Sequence, residues 1–539
     1  MTKHRGVMVC LSLLLVLIVG LNGSGLSALI PVGAAAPAAA TTAAPTPTAA
    51  GSRVPLEDAI KTMQPAEVWQ NFYDVTQVPR PSHHEDKIRD FLVQFGKDLN
   101  LETTVDEAGN VLIRKPAGKG MEKRKGVVLQ AHMDMVAQKE DGKDFDFETD
   151  PIEAYVEGGW VKANGTTLGA DDGIGLALAM AILQSDTALG PLEALFTVNE
   201  EDGMDGAMGL QAGVLQGEIL INLDSETEGV FTIGSAGGEY GTVDATYKEV
   251  AAPKDTAAYT VTVSGLQGGH SGVDINLGRG HATKLLVRVL KDAAARVGLR
   301  VAQIIGGDTS NAITRQASAV VVVPKSKVDQ FQQLVKQYDQ TFKAELVVAD
   351  PGVTVGSASA TMPARVMDDK AQRTLINSLY GMPQNVLRMS DQVPDLVETS
   401  TNMGIMQSGA GKISVGSYDR SSVDTELDDV QQMLASVWSL AGMEMVFSGR
   451  YPGWQPNPDS PILALMQKVY QSQAGKDPSV IAVHAGLECG VVRSLYPDMD
   501  AISVGPTLQD VHTPQEKLEV ATVQKLYNLL VETLKQVPE

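Results

Sequence analysis

Five metal-type side chains each follow a short apolar run in this chain, and that placement constrains the fold more than any other feature. His132 follows GVVLQA, Asp171 the TTLGA turn, Glu201 EALFTVNE, Asp224 EILINL, and His512 AISVGPTLQDV. In open α/β sheets the carboxyl ends of parallel strands share one edge, so residues distant in sequence converge there on one crevice. The pattern therefore predicts an α/β fold with a mixed, largely parallel sheet and a crevice lined by these five residues.

Taken singly, each residue has an ordinary reading as a solvated charge, a helix cap or a turn former. Conjunction changes that, because only eight histidines occur and two of them fall at matching places after apolar runs. Neutral imidazoles mixed with hard carboxylate oxygens suit Zn²⁺ better than thiolate or all-oxygen sets do. Two histidines and three carboxylates are enough for two adjacent divalent ions if one carboxylate bridges them. Asp171 is the candidate bridge, since Asp171-Asp172-Gly173 opens an apolar helical run whose N-terminus favours anions. Asp134, in His132-Met133-Asp134, is placed to accept the other imidazole N–H and set its tautomer. Glu200, beside Glu201, is placed to take a proton from an activated water and return it to a leaving amine.

Composition narrows the function classes. A formal charge of −22 and a pI near 4.8 argue against nucleic acid or an anionic membrane surface as the main partner. The two cysteines, Cys10 and Cys489, are too few for a disulfide framework or a Cys-based zinc site. At 539 residues the chain has room for more than one domain.

Lys3, His4 and Arg5 precede an apolar run from about Val7 to Leu21 and then small residues, the layout of a secretory signal. A membrane anchor is the rival reading. Residues 1–36 are thus expected to be a signal peptide or membrane anchor, and 37–54 an Ala/Pro/Thr-rich linker. The corresponding expectation is export, with secretion or attachment to the cell envelope. From 55 to 237, strand-like and helix-like runs alternate as in βαβ units. From 238 to 434 the pattern becomes α+β: TAAYTVTVSGL and SAVVVVP read as strands, HATKLLVRVLKDAAARVG and KVDQFQQLVKQYDQTFKAEL as helices. Residues 435–539, with MLASVWSLAG, MEMVFSGR and AISVGPT, are expected to return to the first domain because His512 must meet His132.

The blocks LQAHMDMVAQK, GTTLGADDGIGLALAMAIL, FTVNEEDGMDGAMGL, INLDSETEG, GLQGGHSGVDINLGRGHA, VHAGLECG and VGPTLQDVHTPQEKLEV, in this order, resemble the M20 family of metallopeptidases, and most of all its aminoacyl-histidine (Xaa-His) dipeptidase branch. The resemblance runs from about Pro55 to the C-terminus. It implies a zinc-exopeptidase-like catalytic domain interrupted by an inserted α+β lid. It also implies that His132, Asp171, Glu201, Asp224 and His512 are ligands of two divalent ions, Zn²⁺ foremost with Mn²⁺ or Co²⁺ as alternatives. In it, Asp171 bridges, Glu200 is the general base, Asp134 orients His132, and the peptide after Asp171 is cis. A histidine matching His270 polarises the scissile carbonyl in the family, in many members from a partner subunit, which leaves room for a homodimer. Asn311 and Arg420 resemble the positions that bind the substrate's carbonyl and carboxylate, and His484 and Glu488 match a block lining the pocket. The implied activity is hydrolysis of a small peptide, a dipeptide of Xaa-His or broader type. A deacylase of N-acyl amino acids shares the ligand set, and a binding module that had lost its metals would lack a ligand or Glu200.

Overall fold

In the computed structural model, which describes residues 52–539, the apolar runs before the ligand-type residues form the middle of an eight-stranded sheet. Its strand order is Glu102–Val105, Val111–Lys115, Leu192–Thr197, Val127–His132, Ile219–Asn222, Asp500–Ser503, Val230–Ser235, Ser479–Val483. Strand Val127–His132 runs parallel to both of its neighbours, and Asp500–Ser503 runs parallel to Ile219–Asn222. Every residue of Val127–His132 and Leu192–Thr197 is buried. Helices cover both faces of such strands, and this explains why they read as continuous apolar runs rather than as alternating patterns. Helix Ala170–Gln184 is buried nearly all round, and it shares one core with helices Ala66–Thr76, Asp86–Asp98, Pro461–Ala474 and Val520–Gln536. Cys489 is free and buried in a separate apolar cluster.

A five-stranded sheet flanks this core and joins Trp160–Ala163 antiparallel to Lys517–Glu519. The pairing matters because these two strands lead into the Asp171 loop and out of the His512 loop.

The chain leaves the first sheet after Val230–Ser235 and enters a nine-stranded sheet at Gly237–Thr246. Every strand pairing within that second sheet is antiparallel. Strands Thr256–Ser264 and Ala317–Pro324 and helices Ala282–Val297 and Val328–Glu345 fall where the apolar periodicities place them. Helices Asp369–Gly381 and Asp424–Leu440 complete a second, separate core. Strand Val446–Tyr451 differs from the expectation that MEMVFSGR returns to the first domain. It pairs with Gly237–Thr246 in the second sheet, and helix Asp424–Leu440 packs there through Val430, Leu434 and Trp438. The return comes at Trp454, which bridges Ser235, so the segment enters and leaves at one point.

The expected leader, 1–36, and most of the expected linker, 37–54, lie outside the described residues. Among the described residues no helix is long and apolar enough to cross a membrane.

Candidate active site and metal centre

His132 ends the central strand and projects into a buried cluster of acids. Its Nε2 lies 3.0 Å from Asp171 Oδ1 and 3.4 Å from Asp224 Oδ1. His512, on a turn with φ of 61°, puts its Nε2 3.0 Å from Asp171 Oδ2 and 3.0 Å from Glu201 Oε2. The two oxygens of Asp171 are therefore divided: one faces His132 and Asp224, the other His512 and Glu201. Atoms of His132, Asp171 and Glu201 alone lie within 4.8 Å of one another, a spacing that could hold a metal ion. The peptide between Asp171 and Asp172 is cis.

Three strand ends and two loops make this convergence. His132 ends its strand, Glu201 follows Leu192–Thr197, and Asp224 follows Ile219–Asn222. His512 arrives from Asp500–Ser503 by a longer loop, and Asp171 comes from the start of helix Ala170–Gln184. Asp134 is fully buried, with Oδ1 3.3 Å from His132 Nδ1. It also accepts the backbone N–H of Glu200 at 3.0 Å and of Glu201 at 3.3 Å, and the Ser82 hydroxyl at 2.8 Å. One carboxylate thus lies against the imidazole and holds the loop that carries Glu200.

Electrostatics of the cluster call for cations. Burial raises the carboxyls of Asp172, Glu200 and Asp224 well above their ordinary range, with neighbouring carboxylates adding to the rise and His132 opposing it. Asp171 is also buried, yet hydrogen bonds from His132 and His512 hold it well below that range. Glu201 Oε1 is buried without a hydrogen-bond partner, which is costly unless something electropositive sits against it. Two imidazoles with carboxylate oxygens form a donor set of the zinc type, so the residues fit divalent metal.

A second polar group lies around His270. Its Nδ1 accepts the N–H of Gly272 at 3.2 Å and of Val273 at 3.3 Å, which leaves the ring proton on Nε2. That Nε2 lies 3.4 Å from Arg420 Nη2, so two donors converge on one spot. Arg420 is buried, its guanidinium 4.2 Å over the Tyr418 ring and 3.4 Å from the Tyr451 hydroxyl. His484 is held by Ser400 at 2.7 Å, and its pKa is lowered to about 3 by burial and then by Arg420 and His270. Asn311 is exposed, and its backbone carbonyl accepts the Ser271 N–H. Glu488 is fully buried, and its Oε2 accepts Gln130 Nε2 at 2.5 Å and Thr197 Oγ1 at 2.8 Å.

Two buried residues with polar side chains, Glu516 and Arg80, escaped the sequence reading. Glu516 accepts backbone N–H groups from the Asp171 loop, and Arg80 donates to carbonyls of the His132 and Asp171 loops. Arg80 carried one signal, its position between Pro79 and Pro81 in a stiff segment. Glu516 carried none beyond lying four residues after His512.

A mixed sheet whose parallel central strands end in imidazoles and carboxylates gathered around one shared aspartate defines an α/β enzyme fold of the zinc-exopeptidase kind. Comparison with known proteins makes this specific: peptidase family M20/M25/M40 matches residues 128–536, and the chain belongs to that family. It is 42% identical over 480 residues, 89% of this chain and 99% of the relative, to the cytosol non-specific dipeptidase of Escherichia coli K12. The solved aminoacylhistidine dipeptidase of Vibrio alginolyticus superposes with a TM-score of 0.85 at 42% identity, covering 89% of this chain and 98% of that one. A Bacillus cereus aminopeptidase, at 14% identity and a TM-score of 0.52 over 88% of this chain, shares the fold.

The same comparison corrects the expectations of a signal peptide and of a secreted or envelope-associated protein. The relative matched over nearly its whole length is named as a cytosolic enzyme. A basic start followed by an apolar run is a local pattern, and here the relationship along the rest of the chain outweighs it.

Proposed function

We propose that the chain is a metallo-dipeptidase that hydrolyses unblocked dipeptides at a two-metal centre, with Zn²⁺ as the first candidate ion. The carrying observation is the division of Asp171, one oxygen toward His132 and Asp224 and the other toward His512 and Glu201. Bound there, divalent ions would supply Lewis acidity and acidify a water. Glu200 takes the proton of the attacking water and delivers it to the departing amine. Burial, which raises this carboxyl, suits it to hold that proton between the two steps. His270, neutral with its proton on Nε2, donates to the carbonyl oxygen as negative charge develops there. Arg420 presents a planar fork to the substrate's terminal carboxylate, braced by Tyr418 and Tyr451. His484 borders this pocket, and Asn311 is assigned to the carbonyl side of the substrate. Glu488 acts through its hydrogen bonds to Gln130 and Thr197. The second sheet, entered at Gly237 and left after Tyr451, is the lid that carries His270 and Arg420.

The reading of dipeptides as substrates is supported by the names of two relatives that are each 42% identical over 89% of this chain. Purified protein should carry about two divalent ions per chain. Measured kcat/KM should be highest for free dipeptides, lower for tripeptides and lowest for N-acetylated forms. A preference for N-acetylated substrates would overturn the dipeptidase reading in favour of a deacylase.

A further inference from the structure

The loops carrying His132, Asp171 and His512 are tied together by two buried polar side chains outside the ligand set, Glu516 and Arg80. Glu516 receives four backbone N–H groups: Leu168 at 2.7 Å and Gly169 at 3.0 Å on Oε2, Ala170 at 2.7 Å and Asp171 at 3.3 Å on Oε1. These donors lie at the entry to helix Ala170–Gln184, where Gly169 is left-handed and Asp171 and Asp172 are not yet helical. Donors at such an entry have no intrahelical acceptor and favour an anion. Glu516 lies in the turn that begins at His512, its own N–H bonded to Thr513 O at 3.0 Å, so it moves with that histidine. On the other side, Arg80 donates to Met133 O at 3.0 Å, Asp134 O at 2.5 Å and Gly169 O.

We propose that Glu516 is a positioning residue for the metal centre, holding Asp171 and His512 at their mutual spacing while Arg80 holds the same loop to His132. This rests on the ligand assignment made above. A carboxylate is suited to the task because its two oxygens can each accept two N–H groups. Glutamine would turn an amide NH₂ toward two of the four donors and orphan them in a buried setting. Aspartate keeps the charge but is one methylene too short to reach all four. Loosening the brace lets Asp171 Oδ2 and His512 Nε2 part, which weakens the site they share without touching the residues around Arg420.

The experiment measures Zn²⁺ affinity by competition with a chromophoric chelator on the full chain, for wild type, Glu516→Gln and Glu516→Asp, together with dipeptide kinetics. Folded Glu516→Gln should bind Zn²⁺ roughly 10–100-fold more weakly, as loss of partners behind metal ligands does. Its kcat should fall with KM changed by no more than about threefold, and added Zn²⁺ should restore part of the kcat. Wild-type affinity in folded Glu516→Gln would overturn the proposal. So would a lower melting temperature with unchanged Zn²⁺ affinity, the signature of a merely structural role. If Glu516→Gln does not fold, Glu516→Asp decides by the same readouts: weakened affinity supports the brace and wild-type affinity overturns it. A wild-type chain that binds no Zn²⁺ would instead sink the ligand assignment and this proposal with it.

Discussion

Glu200 and Glu201 are neighbours with opposite surroundings. Glu201 Oε2 meets His512 at 3.0 Å, whereas Glu200 is raised by burial and flanked by like charges from Glu488 and Glu201. Under the proposed assignment, geometry thus separates a ligand from a base, although the sequence places them side by side. Glu200→Gln keeps the shape of the side chain and leaves the donor set intact. Its metal content should equal that of wild type while kcat falls by roughly 10²–10⁴. Metal analysis beside steady-state kinetics checks this, and retained turnover would remove Glu200 from the role of base. Asp134 cannot be treated so simply, because it also holds the backbone of both glutamates.

Helix Ala282–Val297 shows how the second core is built around polar caps. His281 is its N-cap: Nδ1 accepts the Lys284 N–H at 3.4 Å while Nε2 donates to Met403 O at 2.8 Å, an arrangement that requires the neutral ring. Lys284 reaches the carbonyls of Leu379 and Met382 at the end of helix Asp369–Gly381. Burial, aided by the charge of Lys284, lowers the pKa of His281 to about 4. An unfolded histidine titrates near 6.5, so as pH falls the unfolded chain takes up this proton first. The contribution is complete above about pH 6.5 and is lost as pH falls from there toward 4, on the order of 3 kcal/mol in all. Urea midpoints followed over that window should fall more steeply for wild type than for His281→Asn, which keeps a capping oxygen without the titration. Parallel profiles would show that the cap does not govern acid stability.

At the scale of the whole molecule, the candidate centre joins segments from Arg80 to Glu516, so ions bound there would hold the first core together across most of its length. Ligands that bind only the folded chain stabilise it by mass action. Chelation should therefore lower the melting temperature by several degrees, and re-addition of Zn²⁺ should restore it. An unchanged melting temperature after verified metal removal would mean that the loops are fully braced by Arg80, Asp134 and Glu516 alone.

What the sequence determined by itself was which side chains to expect at one crevice and the sheet edge that gathers them. His132, Glu201 and Asp224 were legible because an apolar run long enough for a parallel strand must be buried, and its carboxyl end then has one place to go. Asp171 was legible through the helix it opens. Only tertiary structure decided how the two Asp171 oxygens are divided, because that depends on two histidines more than three hundred residues apart in sequence, His132 and His512. It alone decided that strand Val446–Tyr451 pairs in the second sheet, since periodicity marks a strand but not its partner. Glu516 and Arg80 stayed invisible for a related reason. They bind backbone N–H and C=O groups, which every residue carries, so no pattern of side chains announces them until the loops are folded against each other.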